Sequence, residues 1–210
     1  MYRRDSLKSD RKSRDYRRGQ PGKRRAIVDG AQTVFARDGY SRASIDAISA
    51  EAGVSTRTVY NHFTDKKALF QAVIQESAQR AADAQIAVID RHLSKVTDLE
   101  SDLVAFCCAF AAPLGPASSA HFALVRQVSA EAEHIPREVL DAWQEAGPLR
   151  VRRALGRRLQ RLGRRGLLRV EDPSLAALHL MMLTALPSPS APPGAVVSRG
   201  VLAFLHGYGP

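Results

Sequence analysis

Apolar residues return along this chain with the 3.6-residue period of helices, and no stretch alternates in the two-residue manner of a strand. The first stripe is Ile27, Ala31, Val34 and Phe35, spaced i, i+4, i+7 and i+8, in a helix predicted to start near Lys23 and to stop at Gly39. Ser44 can then cap a short helix with Ile45, Ile48 and Ala52 on one side. Gly53 permits the left-handed backbone that ends a helix, and Val54 plugs the corner. Ser55 caps a second helix, of about eight residues, reaching His62. Two helices joined by a turn of roughly 3–4 residues containing Gly form a helix-turn-helix, whose second helix can lie in the DNA major groove.

From Asp65 the helical stretches lengthen. The fourth helix carries Leu69, Phe70, Val73 and Ile74 and extends toward Ile86 and Ile89. Further helices are predicted over 97–112, 118–133, 136–145, 148–165 and 173–186, with Pro148 and Pro173 in first turns, where proline is tolerated. The run PSPSAPPGA from Pro187 to Ala195 reads as a loop, and a last short helix covers 196–206. The expectation is an all-α chain. A three-helix head, complete by about Phe63, stands on a larger helical body. The boundaries expected are 1–22 for an arm, 23–64 for the head and 65–210 for the body.

Charge changes this picture more than composition does. Across 210 residues the chain is 45% hydrophobic and 25% charged, close to globular averages, yet its formal charge is +10. Residues 1–25 hold eleven Lys or Arg against Asp5, Asp10 and Asp15, and residues 150–169 hold nine Arg with no acid, so the remainder is net acidic. Basic blocks set apart in this way suggest polyanion contact at chosen places. The first 22 residues have no apolar period and read as a disordered basic arm. The N-terminus has no apolar secretory core, and the apolar runs Leu103–Leu114 and Leu175–Leu186 are too short to span a bilayer. The two cysteines are adjacent, which offers no disulfide framework and fits a reducing cytoplasm. The expected localisation is cytoplasmic.

The head resembles the TetR family of bacterial transcriptional regulators. The matching residues are the stripe ending in Phe35, Gly39-Tyr40, Ile48, Ala52-Gly53-Val54-Ser55, Val59-Tyr60-Asn61-His62-Phe63, Lys66 and Leu69-Phe70. Ser49 departs from the family's usual Ala, a change small enough to keep the packing. The C-terminal half is similar to the AefR-like subgroup through Glu131-Ala132-Glu133-His134-Ile135-Pro136 and Gly166–Pro173. The resemblance implies a homodimer joined by the last two long helices of each body. It also implies a cavity in the body whose small-molecule occupant moves the two heads apart.

Base recognition needs side chains at the exposed start of the second helix, with phosphate contacts fixing register. Thr56, Arg57 and Thr58 occupy that turn, and Arg57 suits a bidentate contact to guanine. Tyr60, Asn61 and His62 follow, and the resemblance places Tyr60 against phosphate or a thymine methyl. Ser44 and Lys66, at helix starts, can meet phosphate. The plain alternative makes Tyr60 and Phe63 hydrophobic plugs and Arg57 a solvated charge. The basic arm can follow the adjacent minor groove, as homeodomain arms do. The arginine run 150–169 reads as the solvated side of a helix whose apolar stripe is Val151, Leu155, Leu159 and Leu162.

For an effector cavity the candidates are Phe106, Phe110, Phe122, Val125, Met181 and Met182, with Arg126 and His179 as polar anchors. Cys107 and Cys108 point roughly 100° apart on a helix, so they read as small buried hydrophobes and not as a redox pair. Glu131 and His134 have the spacing of one half of a di-iron site, but no second copy accompanies them. No nucleophile motif or Gly-rich phosphate loop occurs, so no catalytic residue, metal or cofactor is expected. The function expected is a ligand-responsive regulator, in family habit a repressor, released from a pseudo-palindromic DNA operator by a small apolar or amphipathic effector. The alternative is a nonspecific DNA-coating or nucleoid protein working through the arm.

Overall fold

The structure, a computed structural model, describes the backbone of residues 5–112, 116–184 and 192–210, and the side chains of these except at 5–20, 116–119 and 193. Among these residues ten α-helices follow one another: α1 (Asp5–Arg42), α2 (Ile45–Glu51), α3 (Thr56–His62), α4 (Lys66–Leu93), α5 (Leu99–Ala111), α6 (Pro116–Ala130), α7 (Arg137–Ala146), α8 (Pro148–Arg164), α9 (Pro173–Thr184) and α10 (Pro193–Tyr208). A 3₁₀ turn, Ala132–His134, lies between α6 and α7. Among the described residues every regular element is helical, so the fold is all-α. No helix among them is long and apolar enough to cross a membrane.

Two compact units divide the chain. The first takes residues Met1–Glu76 together with Ser119–Leu140, and the second takes Ser77–Ser118 with Asp141–Pro210. This differs from the boundary expected at 64/65. The head needs more than three helices to close its core, because Leu69, Phe70, Val73 and Ile74 of α4 are all buried. The stripe of α1 does what its period demands: Ile27, Ala31, Val34 and Phe35 are fully buried. Phe35 meets Phe70 edge-on with ring centroids 4.8 Å apart, and Tyr40 lies 4.7 Å from Phe70.

The start of α1 departs from expectation. Its helical backbone begins at Asp5, within the segment 1–22 expected as a disordered arm. Arg and Lys are among the better helix formers, so a helical backbone there does not need an apolar stripe. Pro21 inside the helix removes one backbone donor. The end of α1 is broken at Gly39, with φ 79° and ψ 175°, a conformation open to glycine and costly for any other residue.

Other helix ends shift for local reasons. The helix predicted over 118–133 gives way after Ala130 to the 3₁₀ turn, because Pro136 holds Ile135 extended at φ −97°, ψ 128°. The helix predicted from 196 starts at Pro193, so the expected loop 187–195 ends earlier. Pro193 sits in the first turn, where its missing N–H costs no hydrogen bond. The remainder of that loop, 187–191, and the predicted helix end at 185–186 lie outside the described residues.

In the second unit α8 packs on α9, α9 on α10, and α10 on α5. Their shared core holds Leu103, Phe106, Leu155, Leu159, Leu180 and Phe204, each at most 1% exposed. The stripe Val151, Leu155, Leu159 and Leu162 is buried as its spacing requires. Arg153, Arg157, Arg161 and Arg164 of α8 are exposed, whereas Arg152 keeps its Nε buried without a hydrogen-bond partner; three arginines of the helix reach acids: Arg150 with Asp83 at 2.6 Å, Arg153 with Glu145 at 2.9 Å and Arg158 with Asp90 at 2.6 Å. Surface pairs of this kind contribute about 0–1 kcal/mol each, so the core and not the charges holds this unit.

Removing the Phe70 ring takes away its packing against both Phe35 and Tyr40 in the first unit's core. Phe70→Ala should cost about 3–5 kcal/mol, seen as a lowered urea midpoint at unchanged helix content. An unshifted midpoint would show that this aromatic cluster is not what holds the head.

Candidate nucleic-acid interface

The caps deduced from the spacing of Ser44, Gly53 and Ser55 are in place. Ser44 Oγ accepts from Ala47 N–H at 3.1 Å, and Ser55 Oγ accepts from Thr58 N–H at 3.2 Å. Gly53, at φ 63°, donates to Ala50 O, and Val54 N–H closes the turn on Ser49 O at 3.0 Å. The small side chain at Ser49 is buried and donates from Oγ to Asp46 O at 2.9 Å, so its departure from Ala costs no unpaired polar atom.

The inward side of α3 is Val59, 1% exposed, followed by Phe63, which is buried at the C-cap. Arg24 lies over the Phe63 ring, 5.4 Å from its centroid, and pairs with Glu76 at 2.7 Å. This locking of one side leaves Arg57, Tyr60 and Asn61 exposed on the other, at i, i+3 and i+4. Tyr60 is 55% exposed although its ring is apolar, so it is no plug, whereas Phe63 is one. Thr56, Thr58 and His62 are half-buried, and Thr58 Oγ1 is 2.9 Å from Ser55 Oγ within the cap. The exposed residues of α3 among those expected are therefore Arg57, Tyr60 and Asn61.

Lys66 stands differently from expectation. Its ammonium donates to three carbonyls, Tyr40 O at 3.0 Å, Ser41 O at 3.3 Å and Ala43 O at 3.1 Å. It also lies 4.9 Å from the Tyr40 ring centroid. The break at Gly39 leaves these carbonyls without helical partners, and a nearby cation is the strongest donor available to them. Lys66 thus shapes the approach to α2 and is not a surface charge.

Glu131, singled out by spacing only as half of a metal site, has another partner. Its Oε2 accepts from both Ser41 N–H and Ser41 Oγ–H, each at 2.8 Å. Burial alone would raise this carboxyl, but the two Ser41 hydrogen bonds, with Arg42 and His134 nearby, hold it below the ordinary carboxylate range. A Cβ at Gly39 would overlap the same carboxylate, so space as well as backbone demands glycine there. Sequence reasoning had no signal for this contact across 90 positions, beyond the presence of an unexplained Glu.

The candidate effector residues fall in both units. Phe122, Val125 and Arg126 belong to the first unit, whereas Phe106, Phe110, His179 and Met182 belong to the second. Phe106 is buried core, with the Phe110 ring 5.4 Å away. Phe122 is 49% and Met182 57% exposed, and Arg126 and His179 are also exposed, so these four do not line an interior. Met181 is the methionine that packs against the core, one residue and about 100° of helix away from Met182. His179 Nδ1 pairs with Tyr208 Oη at 2.8 Å. Cys107 is buried and its thiol is pushed up to about 12 by desolvation, partly offset by a hydrogen bond with Thr184, so it fits the reading as a small hydrophobe. Cys108 is exposed and does not.

Comparison with known proteins agrees with this geometry. Residues 27–73 match bacterial regulatory proteins of the tetR family, and residues 102–210 match the C-terminal domain of AefR-like transcriptional repressors. The HTH-type transcriptional repressor Rv1474c of Mycobacterium tuberculosis is 40% identical over 60 residues, 29% of this chain and 32% of its own length. The match thus spans only about a third of that curated relative. A TetR-family protein of Mesorhizobium loti is 28% identical with a TM-score of 0.77, over 91% of this chain and 98% of its own. A TetR-family transcriptional regulator of Pseudomonas syringae is 27% identical with a TM-score of 0.66, over 89% of this chain and 96% of its own. A helix-turn-helix with one locked and one open side, continuing into a matching C-terminal domain, places this chain in the TetR family of DNA-binding, non-catalytic transcriptional regulators, with an AefR-like C-terminal domain.

Proposed function

We propose that the chain acts as a homodimeric repressor that reads a pseudo-palindromic operator through α3 and leaves it when a small apolar or amphipathic molecule binds. The observation that carries this is the open side of α3, where Arg57, Tyr60 and Asn61 are exposed together while Val59 and Phe63 anchor the helix from behind. Arg57 offers a forked donor for guanine O6 and N7, and Asn61 can pair with adenine. Tyr60 and the N-terminus of α2 at Ser44 supply phosphate and methyl contacts that fix register.

The dimer reading is supported by α9, which is apolar on two sides. Ala176, Ala177 and Leu180 are buried in the protomer, while Leu175, Met182 and Leu183 are 45%, 57% and 42% exposed. A helix that is apolar all round is suited to burial on both sides, and a second copy supplies the missing cover. Two heads would then meet successive major grooves about 34–36 Å apart. An effector entering the second unit would meet Phe110 and Met181, which are only partly buried against its core. The basic segment before Pro21 would add phosphate contacts with little sequence information.

In vitro selection of DNA bound by the full chain should recover an inverted repeat. Recovery of no preferred sequence, with binding weakened equally by every competitor, would favour a DNA-coating protein instead. Arg57→Ala should relax the choice at one base pair of each half-site by about 1–3 kcal/mol, read by competition between single-base operator variants. Deleting residues 1–20 should leave the preferred sequence intact and flatten the dependence of log K on log salt by about 0.9 for each phosphate that the segment neutralises. Met182→Asp should turn the dimer into monomer in sedimentation experiments and weaken operator binding. A dimer unaffected by that change would place the interface elsewhere.

A further inference from the structure

Between Glu145 and Glu171 the chain holds nine arginines and no acid. Five of them, Arg150, Arg153, Arg157, Arg161 and Arg164, recur every three or four residues and so share one side of α8. The N-terminal part of that side is matched by acids, Arg150 by Asp83 and Arg153 by Glu145. The flanking Arg158 and Arg165 are held as well, by Asp90 and by Val96 O. Arg157, Arg161 and Arg164 are exposed, and no acid pairs with them among the described residues. We propose that these three arginines form a second nucleic-acid surface, on the second unit, that grips the phosphate backbone of duplex DNA without reading its bases. The proposal rests on the DNA-binding character of the family and not on which residues of α3 read the operator.

Spacing favours such an occupant. From Arg157 to Arg164 the helix rises about 10 Å, a length over which one strand of a duplex carries about three phosphates. The chemistry of the stripe agrees, because every cation on it is Arg and none is Lys. A guanidinium fork meets two phosphate oxygens at once, which an ammonium does not. The stripe is also costly to a chain in water alone. Like charges at i, i+3 and i, i+4 destabilise a helix, and a line of phosphates relieves them. The helix dipole favours Arg161 and Arg164 in the last turn, but Arg157 lies too far from the end to share that benefit. Rotation of α8 cannot disperse the charge, since Val151, Leu155, Leu159 and Leu162 are fixed in the core on the other side. For the same reason α8 has no apolar face left to enter a lipid surface. DNA is the polyanion to which a regulator of this family is brought in any case, so the stripe meets it at high local concentration.

The test uses the full chain and a duplex that lacks the operator, with log K followed against log salt. Arg157→Gln/Arg161→Gln/Arg164→Gln should flatten that dependence by about 0.9 for each phosphate released, or about 2.7 per chain for three. The melting temperature and the sequence recovered by selection should stay unchanged. The corresponding triple change to Lys keeps the charge and should keep most of the slope. Arg150→Gln/Arg153→Gln removes charges that Asp83 and Glu145 already offset and should leave the slope where it was. A shift in this control two-thirds as large as in the triple Gln variant would mark a long-range effect of net charge and overturn the proposal. An unchanged slope in the triple Gln variant would overturn it too, leaving the stripe to an acidic protein surface or to solvent. Equal loss of slope in the Lys and Gln variants would trace the effect to altered folding and count against it. Wild-type protein that selects no operator would remove the regulator reading alone, because the slopes are read without one.

Discussion

The Lys66 ammonium enters the turn where α1 ends, and the geometry of the head follows from what it finds there. A helix end exposes carbonyls that must be paired, and the break at Gly39 presents those of Tyr40, Ser41 and Ala43 to one cation. Because Lys66 is also the first residue of α4, this single group joins the end of α1, the approach to α2 and the start of α4. Beneath it, Tyr40, Phe35 and Phe70 pack edge-on and tilted into an aromatic cluster drawn from α1 and α4. The polar clamp and the apolar cluster cooperate: the cation lies against the Tyr40 ring, which in turn packs on Phe70. Freedom of α2 and α3 to tilt is removed at this corner before any DNA is present.

Local chemistry made much of this readable. Ser44, Gly53 and Ser55 act within a few residues of themselves, so their spacing alone located α2, the turn and α3. The stripe of α8 was equally plain, since arginines mark its outer side as sharply as leucines mark its inner one. Long-range choices were not readable. Lys66 looked like a phosphate contact because its carbonyl partners lie more than twenty positions earlier in the chain, and Glu131 looked like an idle ligand because its partner lies ninety away. On α9, period could not separate Met181 from Met182, because every side of that helix is apolar and only the neighbouring helices decide which faces inward. The body's aromatics were ambiguous for the same reason: Phe106 is buried and Phe122 is half exposed, and aromatic identity alone does not separate them.

The two units meet different physical demands. The first must hold α3 rigid on one side and open on the other, and it does so with charged groups placed on backbone atoms. The second relies on a continuous apolar core from α4, α5, α8, α9 and α10, with ion pairs such as Arg150–Asp83 and Arg158–Asp90 outside it. Directional bonds fix an angle, whereas apolar packing tolerates exchange of shape. A reading head that must match one DNA geometry is well served by directional bonds of this kind.

The uncovered side of α9 has a further consequence, one of mass action. Leu175, Met182 and Leu183 gain burial only when a second chain arrives, so in the proposed dimer part of the folding free energy is a function of protomer concentration. Dilution then acts on this protein as a mild denaturant. A melting temperature measured at micromolar protein will exceed the one that governs a few dozen copies in a cell, and the gap between them reports how much of the fold each chain borrows from its partner.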